Sequence, residues 1–86
     1  MIRTDNKNVI KNYLNFVESK SHNENLFTRY NYNGEWELVN YRTPLVRIVD
    51  NTLYLNTKKY SVTTSKIQSY IKSAIQFTQF DIVEMD

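Results

Sequence analysis

The spacing of apolar residues divides the chain into two helix-like ends and a strand-like middle. Val9, Ile10, Tyr13, Leu14 and Val17 fall at i, i+1, i+4, i+5 and i+8, one stripe at 3.6 residues per turn. Thr4, Asp5 and Asn6 offer N-caps, and neither glycine nor proline intervenes before Lys20. The pattern predicts a helix from about Asn6 to Lys20, ended by the polar Ser21-His22-Asn23-Glu24-Asn25 stretch. Ile67, Tyr70, Ile71, Ala74 and Ile75 form a second stripe and predict a helix from about Thr64 to Phe77, with Ser65 and Gln68 spaced as a capping box.

Phe27 through Tyr41 is rich in aromatic and β-branched residues around Asn33-Gly34, a hairpin signal. A two-residue loop would pair Asn31 with Trp36 and Arg29 with Leu38, mixing polar and apolar side chains on one face. A three-residue loop, Tyr32-Asn33-Gly34 with Gly34 left-handed, pairs Tyr30 with Trp36 and Arg29 with Glu37. The second register makes one aromatic and one opposite-charge pair, each worth about 0.2–1 kcal/mol, and is the one predicted. Pro44 is expected to interrupt the ladder or to sit at an edge or strand start. Leu45–Val49 reads as the next strand, Asp50-Asn51-Thr52 as a turn, and Leu53-Tyr54-Leu55 as its partner. Lys58 and Lys59 read as a second turn, with a short extension around Tyr60-Ser61-Val62.

The expected fold is therefore α+β: two amphipathic helices flanking a three- to four-stranded antiparallel β meander. It forms one domain over residues 1–86, with an acidic C-terminal tail at about 79–86. Helices on one side of a small sheet leave the other side open. Because Leu45-Val46-Arg47-Ile48-Val49 is apolar on both faces, the open side reads as a contact surface. It predicts a homodimer through the sheet, or through one helix and a sheet edge.

Composition narrows the function classes. There is no cysteine, which removes disulfides, thiolate metal sites and thiol nucleophiles together and fits a reducing compartment. The longest apolar run is three residues, so neither a membrane span nor a secretion signal is expected. Eleven basic and nine acidic side chains leave a net charge of +2, mild for a nucleic-acid-binding domain. The charge is uneven, since residues 81–86 contain Asp81, Glu84 and Asp86 and no base. Heavy use of Asn, Lys, Tyr and Ile, all with A/T-rich codons, points to a low-GC bacterium or its phage.

Catalysis needs groups of matched pKa within mutual reach, and the sequence offers little of that kind. The single histidine, His22, sits in a polar connection and reads as a solvated surface residue. One histidine without cysteine makes a poor transition-metal site. Glu35 and Glu37 share one side of a strand, yet Arg29 and Arg47 make cross-strand charge pairing the better reading. One glycine excludes a glycine-rich phosphate loop. Thr63-Thr64-Ser65-Lys66 reads as a helix start before it reads as an anion site. No catalytic residue, metal or cofactor is expected, and the chain reads as a non-enzyme. Tyr41, Arg42, Arg47, Lys58, Lys59 and Tyr60 form a candidate nucleic-acid patch, with aromatics for stacking among cations.

Asn40-Tyr41-Arg42-Thr43-Pro44-Leu45, Leu53-Tyr54-Leu55-Asn56 and Lys59-Tyr60-Ser61-Val62-Thr63-Thr64-Ser65-Lys66-Ile67-Gln68 together resemble a short domain found in small proteins of phages and mobile elements of low-GC Gram-positive bacteria. The resemblance covers about a third of the chain and assigns no functional residue. It implies provenance, a host-cytoplasmic setting and, by analogy, inhibition of a host protein. Gln79-Phe80-Asp81-Ile82-Val83 is similar to the pentapeptide by which bacterial proteins dock on the DNA sliding clamp: glutamine, a variable residue, Asp or Ser, then Leu and Phe. In that motif the polar residues fix the peptide and the last two side chains fill an apolar pocket. Val83 stands where the motif has an aromatic ring. The leading expectation is inhibition of a host protein, sharpest for the replication sliding clamp; the alternative is a small nucleic-acid-binding regulator.

Overall fold

The first helix stops well short of its hydrophobic stripe, and the reason is a side chain where glycine usually sits. In the computed structural model, which describes residues 1–85, α1 spans Asn6–Leu14. Asp5 caps it by accepting from the Asn8 N–H at 2.8 Å. At its far end the Val17 N–H donates to Asn12 O and the Phe16 N–H to Tyr13 O, the pair of bonds that closes a Schellman cap. That cap puts Phe16 at φ 59°, a left-handed conformation costing an L-residue about 1–2 kcal/mol. The Phe16 ring recovers part of that cost by packing 6.2 Å from Trp36 and 6.2 Å from Phe80. Ser19 and Lys20, assigned by periodicity to the end of this helix, instead join Ser21 in a strand, β2 (Ser19–Ser21).

The remaining elements are β1 (Ile2–Thr4), β3 (Leu26–Tyr30), β4 (Trp36–Asn40), β5 (Thr43–Val49), β6 (Thr52–Asn56), α2 (Val62–Ile75) and β7 (Asp81–Met85). The seven strands form one mixed sheet in sequence order. The central five run antiparallel, while β1 pairs parallel with β2 and β7 parallel with β6. Parallel neighbours need a crossover, and α1 and α2 supply the two. The α+β class holds, but the three- to four-stranded meander is corrected to this seven-stranded mixed sheet. The additional strands are β1 and β2 beside the first helix and β7 in the acidic tail.

The hairpin keeps the predicted register. Tyr30 pairs with Trp36 and Arg29 with Glu37, Asn31 N–H bonds Glu35 O at 3.0 Å, and Gly34 turns at φ +77°. Pro44 is the second residue of β5, where the β4–β5 register shifts by one residue between Leu38 and Val39. The shift explains the apolar run: consecutive Leu45 and Val46 both join the core with Ile48, while Arg47 and Val49 are only half-buried. The helix α2 begins two residues earlier than predicted. Ser61, not Ser65, caps it by accepting from the Thr64 N–H at 3.3 Å, and the expected extension at Tyr60-Ser61-Val62 is this helix start. Gln68 is drawn away from any capping box, donating to Asn56 O and Lys58 O at 2.9 and 3.0 Å.

Both helices share one core with the sheet, built from Val9, Ile10, Ile67, Ile71 and Ile75 against Leu26, Leu38, Val46, Leu53 and Leu55. Its polar clasp joins α1 to β4. The Tyr13 hydroxyl donates to Trp36 O at 2.7 Å and the Trp36 indole N–H donates to Tyr13 O at 2.8 Å, with the rings stacked at 5.4 Å. Burial pushes the Tyr13 hydroxyl well above the ordinary phenol range, the Glu37 charge adds to the rise, and the Ile48 backbone hydrogen bond acts the other way. No helix among the described residues is long and apolar enough to cross a membrane.

Candidate functional site

On the sheet face away from the helices, the strand registers line up one row of side chains: Arg29, Glu37, Arg47, Tyr54 and Val83. Arg29 Nε lies 3.0 Å from Glu37 Oε1, an Arg47 guanidinium nitrogen lies 3.6 Å from Glu35 Oε1, and the Arg47 guanidinium sits 4.8 Å over the Tyr54 ring. Glu35 and Glu37 are thus engaged by arginines, as ordinary cross-strand pairs are. This row is charged and mutually paired, so the open face is not the apolar expanse that the sequence of β5 suggests. A shallow cleft of about 260 Å³ lies along it, bordered by Pro44, Arg47, Tyr54, Asn56 and Met85.

The cations and aromatics of the candidate nucleic-acid patch fall in two places. Tyr41 and Arg42 form the β4–β5 turn, and Lys58, Lys59 and Tyr60 lie in the β6–α2 connection. These segments meet at one end of the sheet, where the Asn56 side-chain amide donates to Pro44 O at 3.1 Å and to the Tyr60 hydroxyl at 3.0 Å. Lys58 Nζ lies 5.9 Å from the Tyr60 ring centroid. Tyr41 holds φ 57° with its side chain exposed, an uncommon conformation for a bulky residue. Arg47 is separate, in the paired row of the open face. The Thr63–Lys66 run lies in the first turns of α2, where the Thr64 hydroxyl donates to Asn40 Oδ1 at 2.8 Å.

The same end carries the exposed His22 in the β2–β3 connection. Beside it Glu24 bonds Lys20 Nζ at 2.6 Å and Arg3 at 3.2 Å. The Lys20 hydrogen bond and charge, with Arg3 behind them, hold the Glu24 carboxyl below its usual range. Among the described residues no three His, Cys, Asp or Glu side chains gather as a metal site would require.

The tail pentapeptide is built into the fold. Gln79 is exposed and its carbonyl accepts from the Asn51 side-chain amide at 3.5 Å, Phe80 packs against the core, and the Asp81 N–H donates to Asn51 O at 2.9 Å. Asp81, Ile82 and Val83 open β7, whose register places Ile82 beside Leu53 and Val83 beside Tyr54. Consecutive strand residues point to opposite faces, so Ile82 and Val83 do not share one direction as long as β7 stays paired. The strand is one of the two edges of the sheet, the other being β1, and Ile82, Val83 and Met85 are each 41–46% exposed. Its outer row of N–H and C=O groups faces no other strand among the described residues.

A second exposed apolar surface lies between the helices. Lys7, Lys11 and Leu14 of α1 face Ala74 of α2 and Phe77 just beyond it across a trough closed by Phe80. Neither the sequence of α1 nor that of α2 contains an acidic residue, whereas Lys7, Lys11, Lys66 and Lys72 are all exposed. The sequence held this signal in plain view, but a net charge taken over the whole chain hides it. No known protein family, curated protein or solved structure matches this chain.

Proposed function

We propose that this protein is a non-enzymatic binding protein that inhibits a host protein, and that it engages its target along the outer edge of β7. The observation that carries the reading is this edge strand, whose outer backbone groups face no other strand among the described residues, beside the exposed Ile82, Val83 and Met85. An extended segment of a partner adds to such an edge through backbone hydrogen bonds, and alternate side chains give specificity. Asp81 and Glu84 flank the apolar positions and disfavour acidic strands in the partner.

The likeness of Gln79–Val83 to a clamp-docking pentapeptide makes the host DNA sliding clamp the first target to test. With β7 paired to β6, clamp binding in this account proceeds through the intact edge with Gln79 at its exposed end; full insertion of the peptide would require β7 to leave the sheet. Titration calorimetry of the protein into purified sliding clamp from a low-GC Gram-positive host should give binding that changes little with salt and is lost in Ile82→Glu. No heat with the clamp removes that target. Equal binding by wild type and Ile82→Glu removes the edge as the docking surface. A homodimer through paired β7 edges is the competing occupant, and sedimentation of the free protein at micromolar concentration detects it.

A second reading has its own observation, the convergence of Tyr41, Arg42, Lys58, Lys59 and Tyr60 at one end of the sheet. It casts the protein as a nucleic-acid-binding regulator. Phosphate contacts then make affinity for a single-stranded oligonucleotide fall steeply with salt, and Arg42→Ala with Lys58→Ala weakens binding of every sequence alike.

A further inference from the structure

The outer side of the two helices carries an exposed trough between α1 and α2. We infer that the trough between α1 and α2 binds an acidic amphipathic helix of a protein partner. This surface is separate from the β7 edge, and the inference stands whether or not that edge binds anything.

Three observations fix the chemistry of the occupant. The floor is aliphatic: Ile10, Leu14 and Ala74 line adjoining stretches of about 420 and 500 Å³ that share Lys7, Ala74 and Phe77. Such a floor accepts apolar side chains spaced i, i+3 and i+4 along a helix. Phe77 stands at its rim 89% exposed, and no ring contact in the fold engages it. A ring held so far into solvent adds nothing to the core, and is the kind of anchor that carries binding energy once covered.

Charge decides the rest. Lys7 and Lys11 are spaced i, i+4 on one rim, about 6 Å apart at their Cβ atoms, and meet carboxylates of the same spacing on a facing helix. The opposite rim is neutral, formed by Tyr70, Ser73 and Phe77, and the Lys7 ammonium reaches across to lie 5.0 Å from the Tyr70 ring centroid. Among the described residues no acidic side chain lines the trough. The occupant therefore carries its glutamates or aspartates along one flank of an apolar stripe, not on both. With nine residues in α1, at about 1.5 Å of rise each, the trough seats about two and a half turns of partner helix.

The test is fluorescence anisotropy with a labelled synthetic helical peptide of about 14 residues, Leu at the stripe positions and Glu along one flank. A second peptide places Lys at every Glu, and a third probe is a single-stranded oligothymidine. The inference expects the acidic peptide to bind in the micromolar range. Affinity should fall about tenfold or more in Phe77→Ser and in the Lys7→Glu, Lys11→Glu double variant. The basic peptide should regain binding on the charge-reversed double variant. All three substituted side chains are exposed, and circular dichroism checks that each variant keeps its fold. The inference is overturned if the acidic peptide fails to bind up to about 0.5 mM, a binding free energy weaker than about 4.5 kcal/mol. It is overturned equally if both peptides bind every variant alike. Oligothymidine binding more tightly than the peptide, and losing affinity in the same variants, would assign the trough to nucleic acid instead.

Discussion

Replacing Tyr13 by Phe removes one oxygen from the centre of the clasp between α1 and β4 and should give a stability difference that changes with pH. At neutral pH the hydroxyl donates to Trp36 O at 2.7 Å in a site with 0% exposure, so its loss strands a buried acceptor. The expected cost is about 1.5 kcal/mol, within the range for a buried neutral hydrogen bond whose partner is left behind. The ring stays, so packing on Trp36 changes little. Above pH 10 a second effect enters. In the unfolded chain Tyr13 ionises near its ordinary value of 10.0, whereas in the fold burial and the Glu37 charge hold the proton on. The unfolded state then binds fewer protons than the native state, and wild-type stability falls with rising pH by about 1.4 kcal/mol per unit relative to Tyr13→Phe. The contribution is fully present below pH 10 and is lost above it. The two stability curves should therefore meet about one unit above pH 10, near pH 11. Urea unfolding followed by the fluorescence of the single tryptophan, Trp36, reads both proteins from pH 7 to 11. A gap that stays constant to pH 11 would refute the buried, protonated hydroxyl, and no gap at pH 7 would refute the hydrogen bond.

Deleting residues 81–86 should lower stability by about 2–3 kcal/mol, because β7 brings a five-residue ladder to β6 and part-covers Ile82 beside Leu53; an unchanged urea midpoint would mean that this segment is a loose tail. Ser61→Ala should cost about 1 kcal/mol through loss of the α2 cap, while Ser65→Ala should stay within about 0.5 kcal/mol, as thermal unfolding of the pair will show. Tyr41→Gly should raise the unfolding midpoint by relieving a left-handed backbone worth about 1 kcal/mol, with the Tyr41 N–H still donating to Asn25 O; a lowered midpoint would reveal packing by the ring that outweighs the strain.

Much of the local structure was legible because its cause is local. The Asn33-Gly34 pair and the match of Arg29 to Glu37 specified the hairpin register, and the stripe from Ile67 to Ile75 specified α2. The errors share a different origin. Periodicity carried α1 on to Lys20 because a Schellman cap normally announces itself with glycine, and here Phe16 fills that place for the sake of contacts with Trp36 and Phe80 made far away in sequence. Strands β1 and β2 are three residues each, Ile2-Arg3-Thr4 and Ser19-Lys20-Ser21, too short and too polar to show alternation. Their existence depends on the parallel partner that α1 delivers. The tail, Asp81-Ile82-Val83-Glu84-Met85, breaks strict alternation, so its acids marked it as a charged tail before a strand. The apparent two-faced apolar strand at Leu45–Val49 came from a register shift that no spacing rule could place. Of the candidate patch, Tyr41, Arg42, Lys58, Lys59 and Tyr60 lie in two connections at one end of the sheet, while Arg47 sits in a row of ion pairs on the open face. The trough went unseen because its two halves lie some sixty residues apart, Lys7 and Lys11 against Ala74 and Phe77.

The most direct test of the central claim, that the edge of β7 is the docking surface for a host protein, is comparative capture from a nuclease-treated lysate of a low-GC Gram-positive bacterium. Immobilised wild type and Ile82→Glu are compared by quantitative mass spectrometry. The account predicts one host protein retained by wild type after nuclease and depleted from the variant. The same proteins on both, or nothing on wild type once nucleic acid is digested, would contradict it.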